Sequence, residues 1–227
     1  MHEVSFDKSP FAVVISADAA PRDGAAQWAG LVSSTDALAR PLPGYGGTIW
    51  LAQGRALGPA STTDTELLMG FLFWRSSSEA EAFSTELSRA RTKSEFVDDL
   101  LIDEGIYQFS ATVTADASTH VDPVRYQAEL ATEIIKMTPV SGKQGWVGEY
   151  NESETRDHIK NLDGFVSASF FRDLRSDRIV EYVQWRSAAD SAAALGDARF
   201  AEHLSVNSHY SAGKAFLFGE RLAGDTV

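Results

Sequence analysis

The chain has 227 residues, 44% of them apolar, and a formal net charge of −12. That length holds one large domain or two of about 110 residues with a real core, and the acidity excludes nucleic acid and anionic membrane as natural partners. With no cysteine there is no disulfide framework and no thiolate chemistry.

The start, "MHEVSFDKSPFAVVISAD", lacks a basic region followed by a long apolar run, so it does not read as a secretory signal. No apolar run approaches the roughly 18 residues of a membrane span. A cytoplasmic protein is expected.

A first strand is expected at 11–17, "FAVVISA". Trp28, Leu31, Val32, Thr35, Leu38 and Leu42 then recur at helical spacing. "LPGYGGTIWLA" (42–52) steps through glycine and an aromatic residue into a second strand, and "MGFLFW" (69–74) is a third. Ser76 and Glu79 form a Ser-x-x-acid capping box, so a helix starts just past Trp74. A closing strand, "IYQFSATVT" (106–114), precedes a polar stretch with Pro123, residues 115–128, read as a linker.

The same order then returns. "TEIIKMT" (132–138) opens it, and Trp146, Tyr150, Ile159 and Leu162 mark a looser helical pattern. "LDGFVSASFFR" (162–172) parallels 42–52, and "VEYVQWRSAAD" (180–190) parallels "MGFLFWRSSSE" (69–79). Ser187 and Asp190 repeat the capping box, a helical stretch follows, and "KAFLFGERL" (214–222) closes the copy.

Each copy reads β-α-β-β-α-β, the ferredoxin-like order. The expected fold is therefore α+β. It has an N-terminal ferredoxin-like domain at 1–114, a linker at 115–128 and a second ferredoxin-like domain at 129–227. A sheet with helices on one face leaves Met69, Phe71 and Phe73 bare on the other. Two tandem copies packed sheet to sheet would cover both.

Residues 164–204 resemble the antibiotic biosynthesis monooxygenase family, of the dimeric α/β-barrel superfamily. The residues that carry the resemblance are Asp163-Gly164-Phe165, Gln184-Trp185-Arg186-Ser187 and Phe200-Ala201-Glu202-His203. In the first copy only Pro43-Gly44-Tyr45 and Trp74-Arg75-Ser76 match. The resemblance implies an intrachain pseudo-dimeric barrel, similar to the tandem oxygenases that open rings of angucycline-type polyketides. It implies oxygen chemistry on aromatic polyketides with no metal and no tightly bound prosthetic group. Reduced flavin from a partner flavin reductase is the cofactor left open, and a homodimer is left open as the assembly.

Alternation along 179–185 puts Ile179, Glu181, Val183 and Trp185 on one face. In the family that face lines a pocket between sheet and helices. Among apolar walls Glu181 should have a raised pKa and suit a general base. The alternative pairs it with Arg178 or turns it to solvent. The family often carries Asn at this position, a departure that points to an altered reaction.

Trp185 is read as a pocket wall or a plain core residue. His203 and His209 are candidate proton acceptors or surface residues. Trp146, Tyr150, Val183 and Phe200 are candidate substrate contacts. In the first copy Gly70 stands in the place of Glu181 and Phe73 in that of Gln184, so the active pocket is expected in the second copy. No metal-binding spacing, dinucleotide fingerprint or nucleophile elbow is present. Haem-degrading relatives carry Asn on the first strand, where this chain has Glu133-Ile134-Ile135-Lys136.

The expected function is a metal-free oxygenase. It would act with O2 on a polycyclic aromatic polyketide in its phenol or hydroquinone form, by hydroxylation, quinone formation or ring cleavage. A polyketide cyclase and a non-catalytic binding protein of the same fold are the alternatives.

Overall fold

The computed structural model describes residues 8–19, 24–52, 66–92, 101–115, 130–218 and 220–221. Residues 116–128 of the expected linker, and most of the long turn at 51–68, lie outside them. The described residues up to Gln108, with Glu220 and Arg221, form one compact unit, and those from Phe109 to Phe218 form a second.

The first unit contains β1 (Phe11–Ala19), α1 (Gly24–Ala39), β2 (Tyr45–Ala52), β3 (Glu66–Trp74), α2 (Ser77–Thr92) and the first part of β4 (Leu101–Thr114). Its antiparallel sheet runs β4-β1-β3-β2. The second contains β5 (Ala131–Pro139), α3 (Gln144–Asp157), β6 (Phe165–Asp173), β7 (Ile179–Trp185), α4 (Ala188–Ala194), α5 (Ala198–Tyr210) and β8 (Ser211–Phe218). Its sheet runs β8-β5-β7-β6. Both orders are the ferredoxin-like one, so the twofold α+β reading of the sequence holds.

Each sheet has a further segment at one edge. In the second unit the later part of β4 lies beside β6: Ala115 N–H donates to Val166 O at 3.0 Å, and Ser110 Oγ to Phe170 O at 3.3 Å. In the first unit a two-residue strand, β9 (Glu220–Arg221), pairs with Leu51 and Ala52 of β2.

The capping boxes form where the sequence places them. Ser76 Oγ accepts from Glu79 N–H at 3.3 Å, and Ser187 Oγ from Asp190 N–H at 3.2 Å. Each serine hydroxyl in turn donates to the acid, at 2.9 Å to Glu79 and 2.7 Å to Asp190. Gly44 (φ +80°) and Gly164 (φ +81°) lie against these acids, where a Cβ would come within 2.1 and 2.2 Å of them. Only glycine meets both the left-handed backbone and the close approach. Even the β-bulges repeat, between Tyr45 and Gly47 in one copy and between Phe165 and Ser167 in the other.

Two local readings are corrected. The second late helix is split: α4 ends near Leu195-Gly196, and Asp197 starts α5 by accepting from Phe200 N–H at 2.8 Å. Glycine and a new N-cap acid together break the helical run. On α3 the buried face holds Val147, Gly148, Asn151 and Thr155, leaving Trp146 42% exposed. Two of those inward positions are polar, so the apolar pattern pointed one residue off.

The first unit's core is filled by large rings. Trp28, Trp50, Trp74 and Phe83 are buried together with Leu31, Leu68 and Leu72. Trp50 packs over Gly70 so closely that a Cβ there would lie 2.2 Å from the indole, and its Nε1–H donates to Asp36 Oδ1 at 3.1 Å.

Candidate active site

In the second unit the space between sheet and helices is open. A cavity of about 320 Å3 lies there, walled by β5, β7 and β8 below and α3, α4 and α5 above. Strand alternation sends Glu181, Val183 and Trp185 of β7, and Glu133, Ile135 and Met137 of β5, to this face. The helices contribute Asn151, Phe200, His203 and Asn207.

Glu181 is 6% exposed, and its Oε1 has no hydrogen-bond partner. Arg178 instead pairs with Asp173 at 2.7 Å. Burial raises the Glu181 pKa from its ordinary 4.5 to about 8, and the charges of Glu133 and Glu152 add to the rise.

Glu133 is the second carboxyl of the cavity, and the sequence reading did not single it out for this role. It stands opposite Val183 in the β5–β7 register, one step diagonal from Glu181. Burial raises its pKa too, opposed by the Ser191 hydroxyl, which donates to Oε2 at 3.2 Å. The Trp185 indole favours ionised Glu133 by its nearness, although its Nε1–H closes no hydrogen bond. Phe165 meets that indole edge-on at 5.5 Å.

His203 is 5% exposed and lines the cavity. Tyr150 stacks on it at 5.2 Å between ring centres and Phe200 at 6.0 Å. Burial lowers its pKa to about 4, the approach of Glu154 opposing and that of His158 assisting, so the imidazole is neutral at neutral pH. Its Nε2 lies 3.1 Å from Asn207 Nδ2, while Nδ1 is buried without a partner. Asn207 and Asn151 bond reciprocally, at 2.8 Å from Asn207 Nδ2 to Asn151 Oδ1 and 3.1 Å in return. Asn151 Nδ2 also donates to Val147 O at 2.7 Å.

Of the residues expected at the site, Glu181, Val183, Trp185, Phe200 and His203 line one cavity. Tyr150 stacks on His203 and does not line the cavity, and Trp146 stacks on Tyr150 at 5.3 Å, nearer the surface. His209 is exposed in the last turn of α5, where its Nδ1 bonds Ser205 O at 2.7 Å. A helix turns about 100° per residue, so six residues after His203 the side chain faces away. The residues missed were Glu133, Asn151 and Asn207. Among the described residues no group of three or more His, Asp or Glu is placed to hold a metal ion.

Over 62 residues, 27% of this chain and 55% of that protein, the sequence is 38% identical to tetracenomycin-F1 monooxygenase of Streptomyces glaucescens. Over that stretch the chain is homologous to that monooxygenase. The alignment spans about half the length of the tetracenomycin-F1 enzyme. No family model matches the chain.

The fold extends the likeness along the chain. An anthrone oxidase-like protein superposes with a TM-score of 0.72 over 96% of this chain and 94% of its own, at 15% identity. A candidate monooxygenase of Fusobacterium nucleatum does so with a TM-score of 0.61 over the same shares, at 8% identity. Such identities show a common fold. With the tetracenomycin-F1 homologue, they bear out the resemblance to the antibiotic biosynthesis monooxygenases read from the sequence.

Proposed function

We propose that this chain is an oxygenase that uses O2 on a polycyclic aromatic polyketide in its phenol or hydroquinone form. Its active pocket lies in the second copy (129–227), and the first copy (1–114) is mainly structural. The observation that carries this reading is the buried carboxyl of Glu181, its Oε1 without a partner, in a cavity that Trp185 also lines. The homology to tetracenomycin-F1 monooxygenase supports the substrate class. A cavity of about 320 Å3 suits a planar ligand of about three rings.

Ionised Glu181 takes the phenolic proton. With a pKa of about 8 it stands closer to a phenol, near 10, than an ordinary carboxylate does; each unit gained is worth about 1.4 kcal/mol. The phenolate gives one electron to O2, leaving an aryloxyl radical and superoxide. The two radicals form a C–O bond, and the resulting peroxide anion recovers the proton from Glu181. Where the oxygenated carbon still bears its hydrogen, loss of that hydrogen with the peroxide's OH as water gives the quinone, so substrate and O2 alone balance the electrons. Hydroxylation that stops short of the quinone needs two further electrons, and there a reduced flavin from a reductase would enter. The apolar walls hold the planar anion in place and keep water from it.

The test is O2 uptake with an anthrone-type reduced polyketide by the purified chain and by Glu181→Gln. Uptake abolished in the variant supports the reading, and equal turnover overturns the role of Glu181. A cyclase on the same site remains the second reading, because two carboxyls of raised pKa can also move protons in a condensation. Product formed equally fast without O2 would favour it.

A further inference from the structure

We infer that Asn151 and Asn207 are positioning residues that hold His203 as its Nδ1–H tautomer, turning that N–H into a donor for a ligand's carbonyl or phenolate oxygen. The tautomer follows from hydrogen-bond chemistry alone. The ligand class rests on the oxygenase reading and deepens it.

The chain of constraint starts at the backbone of α3. Val147 O can only accept, so the Asn151 atom 2.7 Å from it is the amide nitrogen. Asn151 Oδ1 then faces Asn207 and accepts from its Nδ2 at 2.8 Å. The Asn207 nitrogen is thereby turned to His203 and donates to Nε2 at 3.1 Å. An imidazole nitrogen that accepts carries no proton, and a neutral ring carries one in all, so the proton is on Nδ1.

The ring has little freedom to escape this assignment. Tyr150 and Phe200 stack on it. Its Nδ1 is buried with no partner, and an unsatisfied buried donor is costly unless a ligand meets it. His203 lines the cavity, and so does Glu181, whose Oε1 is likewise buried without a partner. One orphan donor and one orphan acceptor suit a ligand with a ring carbonyl and a hydroxyl, a hydroxy-ketone. This also removes His203 as the general base: Nε2 is engaged and Nδ1 has no lone pair to offer.

The experiment is a long-range proton–nitrogen correlation spectrum of the full chain carrying isotope-labelled histidine. His203 is assigned by the signal lost in His203→Gln. The wild-type protein should show its proton on Nδ1. Asn207→Leu, which cannot donate, should show a mixture of tautomers. Asn207→Asp, which accepts, should move the proton to Nε2. A wild-type His203 protonated on Nε2 overturns the proposal without need of any variant.

The probe for the ligand is a dihydroxyanthraquinone with hydroxyls flanking one carbonyl, already oxidised and so inert. Its binding should move the Nδ1–H signal downfield and weaken about tenfold in Asn207→Leu. Bound probe with an unmoved Nδ1–H signal overturns the donor role. Probe bound as expected with no O2 uptake on any reduced substrate overturns the oxygenase reading alone.

Discussion

Trp50 stands opposite Gly70 on neighbouring strands, and Phe170 stands opposite Glu181 at the matching place in the second copy. In the first copy the indole lies over the bare glycine. In the second a carboxyl takes the glycine's place and faces open space. At this pair of positions the Trp50 ring fills the first core, where the second copy has a carboxyl and a cavity.

Filling that space makes the first copy intolerant of change. Gly70→Ala drives a methyl into the Trp50 ring and should cost about 1–3 kcal/mol. Trp50→Ala should cost about 3–5 kcal/mol. The double variant should lose less than the two effects added, because removing the ring makes room for the methyl. Urea unfolding of the three proteins checks this; strict additivity would contradict it.

Glu181→Gln should lower the rate of O2 uptake about 10²–10⁴-fold while leaving affinity for an inert anthraquinone within a few-fold. Parallel kinetics and equilibrium binding read the two quantities. A large loss of binding with kcat unchanged would place Glu181 in recognition instead.

The pH dependence of activity and of stability should run in opposite directions. The proposed mechanism needs ionised Glu181, so on that mechanism kcat should rise with pH and level off above about 8. In the unfolded chain the same carboxyl titrates near its ordinary 4.5. Between those two values the unfolded state has released a proton that the folded state keeps. This group's contribution to stability is therefore greatest below 4.5 and declines until about 8, by on the order of 5 kcal/mol. Glu181→Gln should flatten that decline and be the more stable protein at high pH. Denaturant unfolding at acid and at alkaline pH measures it, and parallel curves for the two proteins would refute it.

The two glycine corners should respond alike. Gly44→Ala and Gly164→Ala each force an L residue into a left-handed backbone and push against Glu79 or Asp190. Each should cost about 1–3 kcal/mol, read as a drop in Tm, and unequal costs would mean that one corner relaxes.

The fold was legible because its punctuation is local. Trp74 and Trp185, each followed by a Ser-x-x-acid box, mark where a strand hands over to a helix. Alternation likewise gathered Glu181, Val183 and Trp185 on one face. Glu133 could have been found by the same rule, since it shares a face of β5 with Ile135 and Met137. The spacing of His203 and Asn207, four apart on one helix, hinted at their contact. Asn151 gave no such sign. Its partner sits on another helix, 56 positions away, and a polar side chain in a helix reads as solvent-facing until the packing is known. The same blindness let Trp146 stand for the inward face of α3 that Val147 occupies.

Both copies keep the corner in which a left-handed glycine abuts a capping acid, though the strand residues between corners have diverged. Scaffold and pocket are thus written in separate letters of the same sequence. A protein engineer could recode the cavity positions 133, 181 and 203 and leave the corners alone. Hollowing a second pocket into the first copy would instead mean dismantling its tryptophan core.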